Sequence, residues 1–237
     1  MNLKELLFIL TVFFANTIEG ITGFAGTMLA MPLSMLLIGV KEAKAVLNIV
    51  AIIVSSSIAI RNYKDMNKKE VLKITLLMAV GMAAGLYLFS VLPLDKLSFL
   101  YGVLIIVVAI RGLLVKKQSN LPSWALILIV LGAGVIHGMF LSGGALLVLY
   151  AVSVLKDKSM IRATLAPVWI ILNCIILVQD ITVGVFTGEI LRLAAYCVLP
   201  LLFALIIGNI LHKVIRQAAF VKLTYILLIA SGLTLLF

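Results

Sequence analysis

Two ionisable side chains stand inside long apolar runs of the sequence: Glu19 in NTIEGITGFAG and His137 in GVIHGMFLSGG. A charge at the centre of a membrane costs at least about 2.5–3.5 kcal/mol on insertion scales, so such a residue faces a cavity or a partner. A carboxyl and an imidazole placed there can bind and release protons, which makes Glu19 and His137 candidate proton-coupling groups. The alternative role is structural, each side chain holding loose backbone groups where its helix breaks. Each stands one residue before a glycine. The glycine-containing breaks carry their own chemistry. Backbone N–H groups at a helix N-terminus are unpaired and carry the positive end of the dipole, and glycine lets an anion approach them. Candidate anion-binding positions are Gly23, Phe24, Ala25 and Gly26 at the first break, and Ser142, Gly143 and Gly144 at the second. Asn48, Ser55, Ser56 and Asn173 on neighbouring segments are candidates to complete a pocket; their plainer role is hydrogen bonding between helices. Trp169 is deep enough to line a cavity, whereas Trp124 and Tyr101 read as interfacial anchors.

The elements that position these residues follow from composition. Of 237 residues, 64% are apolar and 12% charged, and the mean hydropathy is +1.29. A soluble domain carries about 45–50% apolar and about 25% charged residues, so this chain has a lipid-facing surface. The net charge of +10, from 19 Lys and Arg against 9 Asp and Glu, belongs to loops at one membrane face and points to no nucleic acid partner. Cys174 and Cys197 support neither a disulfide framework nor a metal site. No GxxxxGK[ST] loop, HExxH or nucleophile elbow is present, so an enzyme is not expected. No cleavable signal is visible before the first apolar run.

Ten apolar segments are expected, at 4–20, 25–39, 44–61, 70–91, 97–114, 122–140, 143–155, 160–178, 187–210 and 218–236. A crossing of about 30 Å needs about 20 residues, which leaves the second and seventh as half-crossings or re-entrant arms. Pro32 and Pro167 are expected to bend or end their helices. Alternating the segments gives one side Arg61, Lys64, Lys68, Lys69, Arg111, Lys116, Lys117, Lys156, Lys158, Arg162, Lys213 and Arg216. The other side receives Lys4, Lys41, Lys44, Lys96 and Arg192. The excess places the first set in the cytoplasm and both termini outside, and the parity survives if each short segment pairs with its predecessor as a hairpin.

A shift of 118 residues overlays the breaks: Ile18, Gly20, Gly26, Leu29, Leu37, Ala45, Leu47 and Val50 meet Ile136, Gly138, Gly144, Leu147, Leu155, Ala163, Leu165 and Val168, and Glu19 meets His137. The expected fold is therefore all-α and polytopic, one transmembrane unit (1–237) of two repeats, 1–116 and 122–237. Each repeat has about five segments, one of them short. An odd number of crossings per half makes the second half inverted, an arrangement that sets a substrate site at the repeat interface. Gly81 and Gly85 form a GxxxG pair suited to close helix packing.

The stretch EGITGFAGTMLAMPLSMLLIGVKEAKAVLN resembles the opening signature of the TauE/SafE family of sulfite exporters, also called TSUP. Next, RNYKDMNKKEVLK looks like the family's basic loop, and SGGALLVLYAVSVLKDKSMIRATLAP repeats the scheme. The first break departs from the family's glycine run by having Phe24-Ala25-Gly26. The resemblance implies a plasma-membrane transporter of small anions such as sulfite or sulfonates, with about eight transmembrane helices and no cofactor. The expectation is a secondary active transporter with alternating access, proton-coupled through Glu19 and His137. A passive anion channel and a non-transporting scaffold are the alternatives, and the oligomeric state is open.

Overall fold

The computed structural model describes residues 2–114, 122–155 and 157–214, together with 222, 225, 226, 229, 230, 232, 233 and 236, the side chain of Ala145 excepted. Most of the expected tenth segment, and Lys116, Lys117, Lys156 and Arg216 of the basic loops, lie outside the described residues. Among the described residues there is no strand. The helices are α1 (Leu3–Thr22), α2 (Gly26–Ile38), α3 (Val40–Asn62), α4 (Lys68–Val91), α5 (Leu94–Leu114), α6 (Ser123–Phe140), α7 (Gly144–Val154), α8 (Lys158–Thr182) and α9 (Gly188–Val214). All but α2 and α7 are long and apolar enough to cross a membrane. The chain is an all-α polytopic membrane protein.

Several helices begin earlier than the apolar runs suggest, because polar caps start them. Asn2 and Glu5 form a capping box on α1, the Asn2 side chain accepting from Glu5 N–H at 2.8 Å and Glu5 accepting from Asn2 N–H at 2.9 Å. Asn67 and Asp157 cap α4 and α8. Each cap satisfies N–H groups that the helix itself leaves open. Pro32 and Pro167 lie inside α2 and α8 rather than at their ends.

Asn2 and Glu5 at the start of α1, Leu37 and Ile38 at the end of α2, Lys41 and Glu42 at the start of α3, and Val183 and Thr187 after α8 all line one surface depression. The α1–α2 pair therefore leaves and regains the same face. Lys64 and Asn67, after α3, share a second depression with Asp157 and Ser159 at the start of α8. The packed helices α3 and α8 thus run antiparallel, and each is long enough, at about 1.5 Å per residue, to separate two membrane faces.

Some helix pairings recur at corresponding places of the two halves, while α2 also packs on α3. α4 packs on α6 as α9 packs on α1, α8 packs on α4 as α3 packs on α9, and α3 packs on α8 at the centre. In lipid, helices associate by close packing rather than by burial from water, so small residues set these contacts. A Cβ at Gly85 or Gly81 would strike the carbonyl of Val135 or Leu131, and one at Gly134 that of Met78. On the other pair, a Cβ at Gly20 would stand 3.0 Å from Gly208 Cα. Tyr101, expected at an interface, is instead 2% exposed and stacks on Phe140 with ring centroids 4.4 Å apart, since α5 turns it inward. Trp124, in the first turn of α6, is 67% exposed.

Replacing Gly85 with Leu should force α4 off α6. An overpacked contact of this kind costs about 1–3 kcal/mol, so the variant's melting temperature in detergent should fall by several degrees. An unshifted melt would contradict this packing.

Candidate substrate site between two helix hairpins

α1 and α6 end alike. Gly23 closes α1 in the left-handed region at φ 83°, its N–H donating to Glu19 O at 2.6 Å. Leu141, at the same place in the second half, closes α6 at φ 56° and donates to His137 O at 2.8 Å. Leu141 is the one non-glycine with positive φ among the described residues. That conformation costs an ordinary side chain about 1–2 kcal/mol, so the surrounding contacts hold it there. Both turns place the residue one position before a glycine, Glu19 or His137, on the inner side of a helix end.

The two breaks meet. Thr27 Oγ1 donates to Leu141 O at 2.8 Å, Trp169 Nε1 donates to Gly23 O at 3.3 Å, and a Cβ at Gly144 would stand 2.6 Å from Phe24 O. Glycine at 144 is therefore required for α7 to start against the first hairpin. The N-terminus of α2 faces the protein's own carboxylate: Glu19 lies toward the N–H groups of Gly26 and Thr27, and a Cβ at Gly26 would overlap Glu19 Oε2. A carboxylate at that end of a helix is favoured by the dipole.

Glu19, Phe24, Thr27, Ala51, Ser55, His137, Leu141, Gly144, Trp169 and Asn173 line a cavity at this junction. The space open to the centre of a water-sized sphere is about 10 Å³, room for about one water. The walls are polar without being satisfied. Glu19 Oε2, Ser55 Oγ, Asn173 Oδ1 and both ring nitrogens of His137 are buried and lack a hydrogen bond of good geometry within the protein. Each such group costs about 1–3 kcal/mol unless something pairs with it, and the cavity is polar and large enough for about one water. The His137 and Trp169 rings lie 5.2 Å apart.

Of the residues singled out in the sequence, Glu19, Phe24, His137, Gly144 and Asn173 thus line one cavity. Gly23, Ala25, Gly26, Ser142 and Gly143 form the turns behind it. Asn48 is not in the lining; its Nδ2 donates to Asn173 O at 3.1 Å and so braces Asn173. Two residues counted as loop cations are displaced inward. Lys44 is 5% exposed and Arg162 is 3% exposed. The cause is the early start of α3 at Val40 and of α8 at Lys158, which puts both in the second helical turn, facing the opposite hairpin. The 118-residue shift overlays Lys44 on Arg162, a signal available in the sequence. Thr27, which ties the hairpins together, carried no such signal.

Among the described residues no group of His, Cys, Asp and Glu could hold a metal ion. The model of the sulfite exporter TauE/SafE family matches residues 8–235. The chain belongs to this family. By its family it is a membrane transport protein, and the family match covers every cavity residue. No curated protein and no solved structure matches it.

Gly26→Ala should push the Glu19 carboxylate off the α2 N-terminus while leaving lipid-facing surfaces untouched. Transport by this TauE/SafE member should then fall about tenfold or more, as a displaced site group implies, with the elution profile in detergent unchanged. Wild-type transport by the variant would contradict the Glu19–α2 contact.

Proposed function

We propose that the chain is a secondary active transporter of a small oxyanion of the sulfite or sulfonate class, coupled to protons. The observation that supports this reading is the ring of buried donors and acceptors without well-formed hydrogen bonds at the junction of the hairpins. A pyramidal oxyanion needs several donors converging on its oxygens. Ser55 Oγ, a His137 ring N–H and the first N–H groups of α7 at Gly144 supply them, at a helix end whose dipole favours negative charge. An ionised Glu19 beside the same cavity would repel the anion. Protonation removes that repulsion and turns the carboxyl into a donor, so proton and anion binding reinforce each other, as linkage requires. His137 is the second group suited to exchange protons. Gly23, Phe24, Ala25, Gly26, Ser142 and Gly143 shape the pocket, with Asn48 and Asn173 completing it.

A guest of sulfite size exceeds room for one water, so the hairpins must part to admit it and close behind it. The two halves, 1–116 and 122–237, are read as inverted repeats, with the site at their interface and access alternating between faces. The excess of basic residues at the face of Lys64, Lys68 and Lys69 sets that face in the cytoplasm and both termini outside a plasma membrane.

Labelled sulfite should accumulate by counterflow in proteoliposomes, blocked by one class of competitor among sulfonates and carboxylates. Purely passive flux without counterflow would overturn the carrier mechanism. Glu19→Gln should keep exchange of sulfite for sulfite but lose acceleration by a pH gradient. An intact pH response in that variant would remove Glu19 from coupling.

A further inference from the structure

Lys44 and Arg162 are buried cations that the cavity itself does not use. We propose that they are a repeat-related pair of anion stations, one on each side of the cavity, which receive the anion as it passes between the site and the two faces of the membrane. The proposal rests on the anion-carrier reading above.

Their placement is reciprocal. Lys44 stands four residues into α3, whose start shares a face with Lys41 and Glu42. Arg162 stands four residues into α8, whose start shares the other face with Asp157 and Ser159. Each is thus about 6 Å inward from its own face. Each also reaches the tip of the other half's hairpin. Lys44 Nζ donates to Gly138 O at 2.6 Å, near the end of α6. The Arg162 side chain covers Gly23, where a Cβ would stand 2.7 Å from its Cγ, at the end of α1. The cavity lies between these two tips.

Neither cation is neutralised at close range. Among the described residues no carboxylate forms an ion pair with either. Asp180 on α8 lies within electrostatic reach of Lys44, and Glu19 on α1 and Arg61 on α3 lie within reach of Arg162. Lys44 rests over the Phe89 ring, 4.2 Å from its centroid. Arg162 Nη2 donates to Asn209 Oδ1 at 2.5 Å, while its Nε is buried without a partner. Capping a helix carbonyl needs only a neutral donor. Keeping a full positive charge inside a membrane bundle at both repeat-related places is costly, and it is useful where an anion must leave water. Weakly held cations of this kind raise local anion concentration and can hand the anion on.

Two measurements test this. In a Cys174→Ala, Cys197→Ala background, Lys44→Cys and Arg162→Cys should each react with a membrane-impermeant anionic thiosulfonate from one face only, and from opposite faces. Reaction of both from the same face, or of neither, would overturn the placement, and this arm needs no transport. In sulfite counterflow, Lys44→Met should raise the half-saturating concentration about tenfold or more at the face of Lys41 and leave the other face unchanged. Arg162→Met should do the reverse, and Lys44→Arg and Arg162→Lys should restore most of the loss. An equal fall in maximal rate at both faces, with no change in half-saturation, is the mark of a purely structural cap and would overturn the proposal. Absent counterflow in the wild-type protein would instead strike the carrier reading, leaving the labelling result to stand by itself.

Discussion

Four helix ends lie inside this bundle, and their backbone groups have no water of the bilayer core to satisfy them. The C-terminal ends of α1 and α6 carry loose carbonyls, and the N-terminal ends of α2 and α7 carry loose N–H groups. The protein answers the carbonyl ends from the opposite half. Thr27 reaches Leu141 O, Trp169 reaches Gly23 O and Lys44 reaches Gly138 O. Within the first half, Glu19 turns back on the start of α2. The hairpins are thereby each other's solvent, and the polar cavity between them follows from that exchange.

The same arrangement divides the molecule into firm and yielding contacts. α4 on α6 and α1 on α9 approach backbone to backbone across Gly81, Gly85, Gly134, Gly20 and Gly208, contacts that do not slide without strain. Between α3 and α8 the facing groups include Asn48, Ser55 and Asn173, several of them unpaired. Under the proposed mechanism the tight pairs move as bodies, and the site between them exchanges one set of hydrogen bonds for another. The left-handed Leu141 belongs to this picture, since strain of that kind concentrates where a segment must rearrange.

Much of the helix map was readable from apolar length, and the breaks from their glycines. Glu19 and His137 stood out because an ionisable group within an apolar run is rare enough to need a reason. Local pattern could not show that the end of α2 lies beside the start of α1, because crossing and returning arms differ only in what they touch. It also misplaced Lys44 and Arg162. An apolar window starts where hydrophobicity rises, whereas a helix starts at its cap, and the turn between them carried both cations inward. Tyr101 was misread for a related reason: an aromatic near a segment end suits an interface or a core equally, and Phe140 decides which. That Glu19 itself lies at the α2 N-terminus needed the three-dimensional path of the turn at Gly23.

The central claim is that a small oxyanion binds in the cavity where the hairpins meet. The chain has two tryptophans; Trp169 lines that cavity and Trp124 is exposed. In a Trp124→Phe variant, emission therefore reports on the cavity alone. Titration with sulfite should change Trp169 emission along a saturable curve, and a non-fluorescent competitor of transport should reverse it. Emission that stays constant across concentrations at which the same protein exchanges sulfite would place the binding site elsewhere and contradict the account.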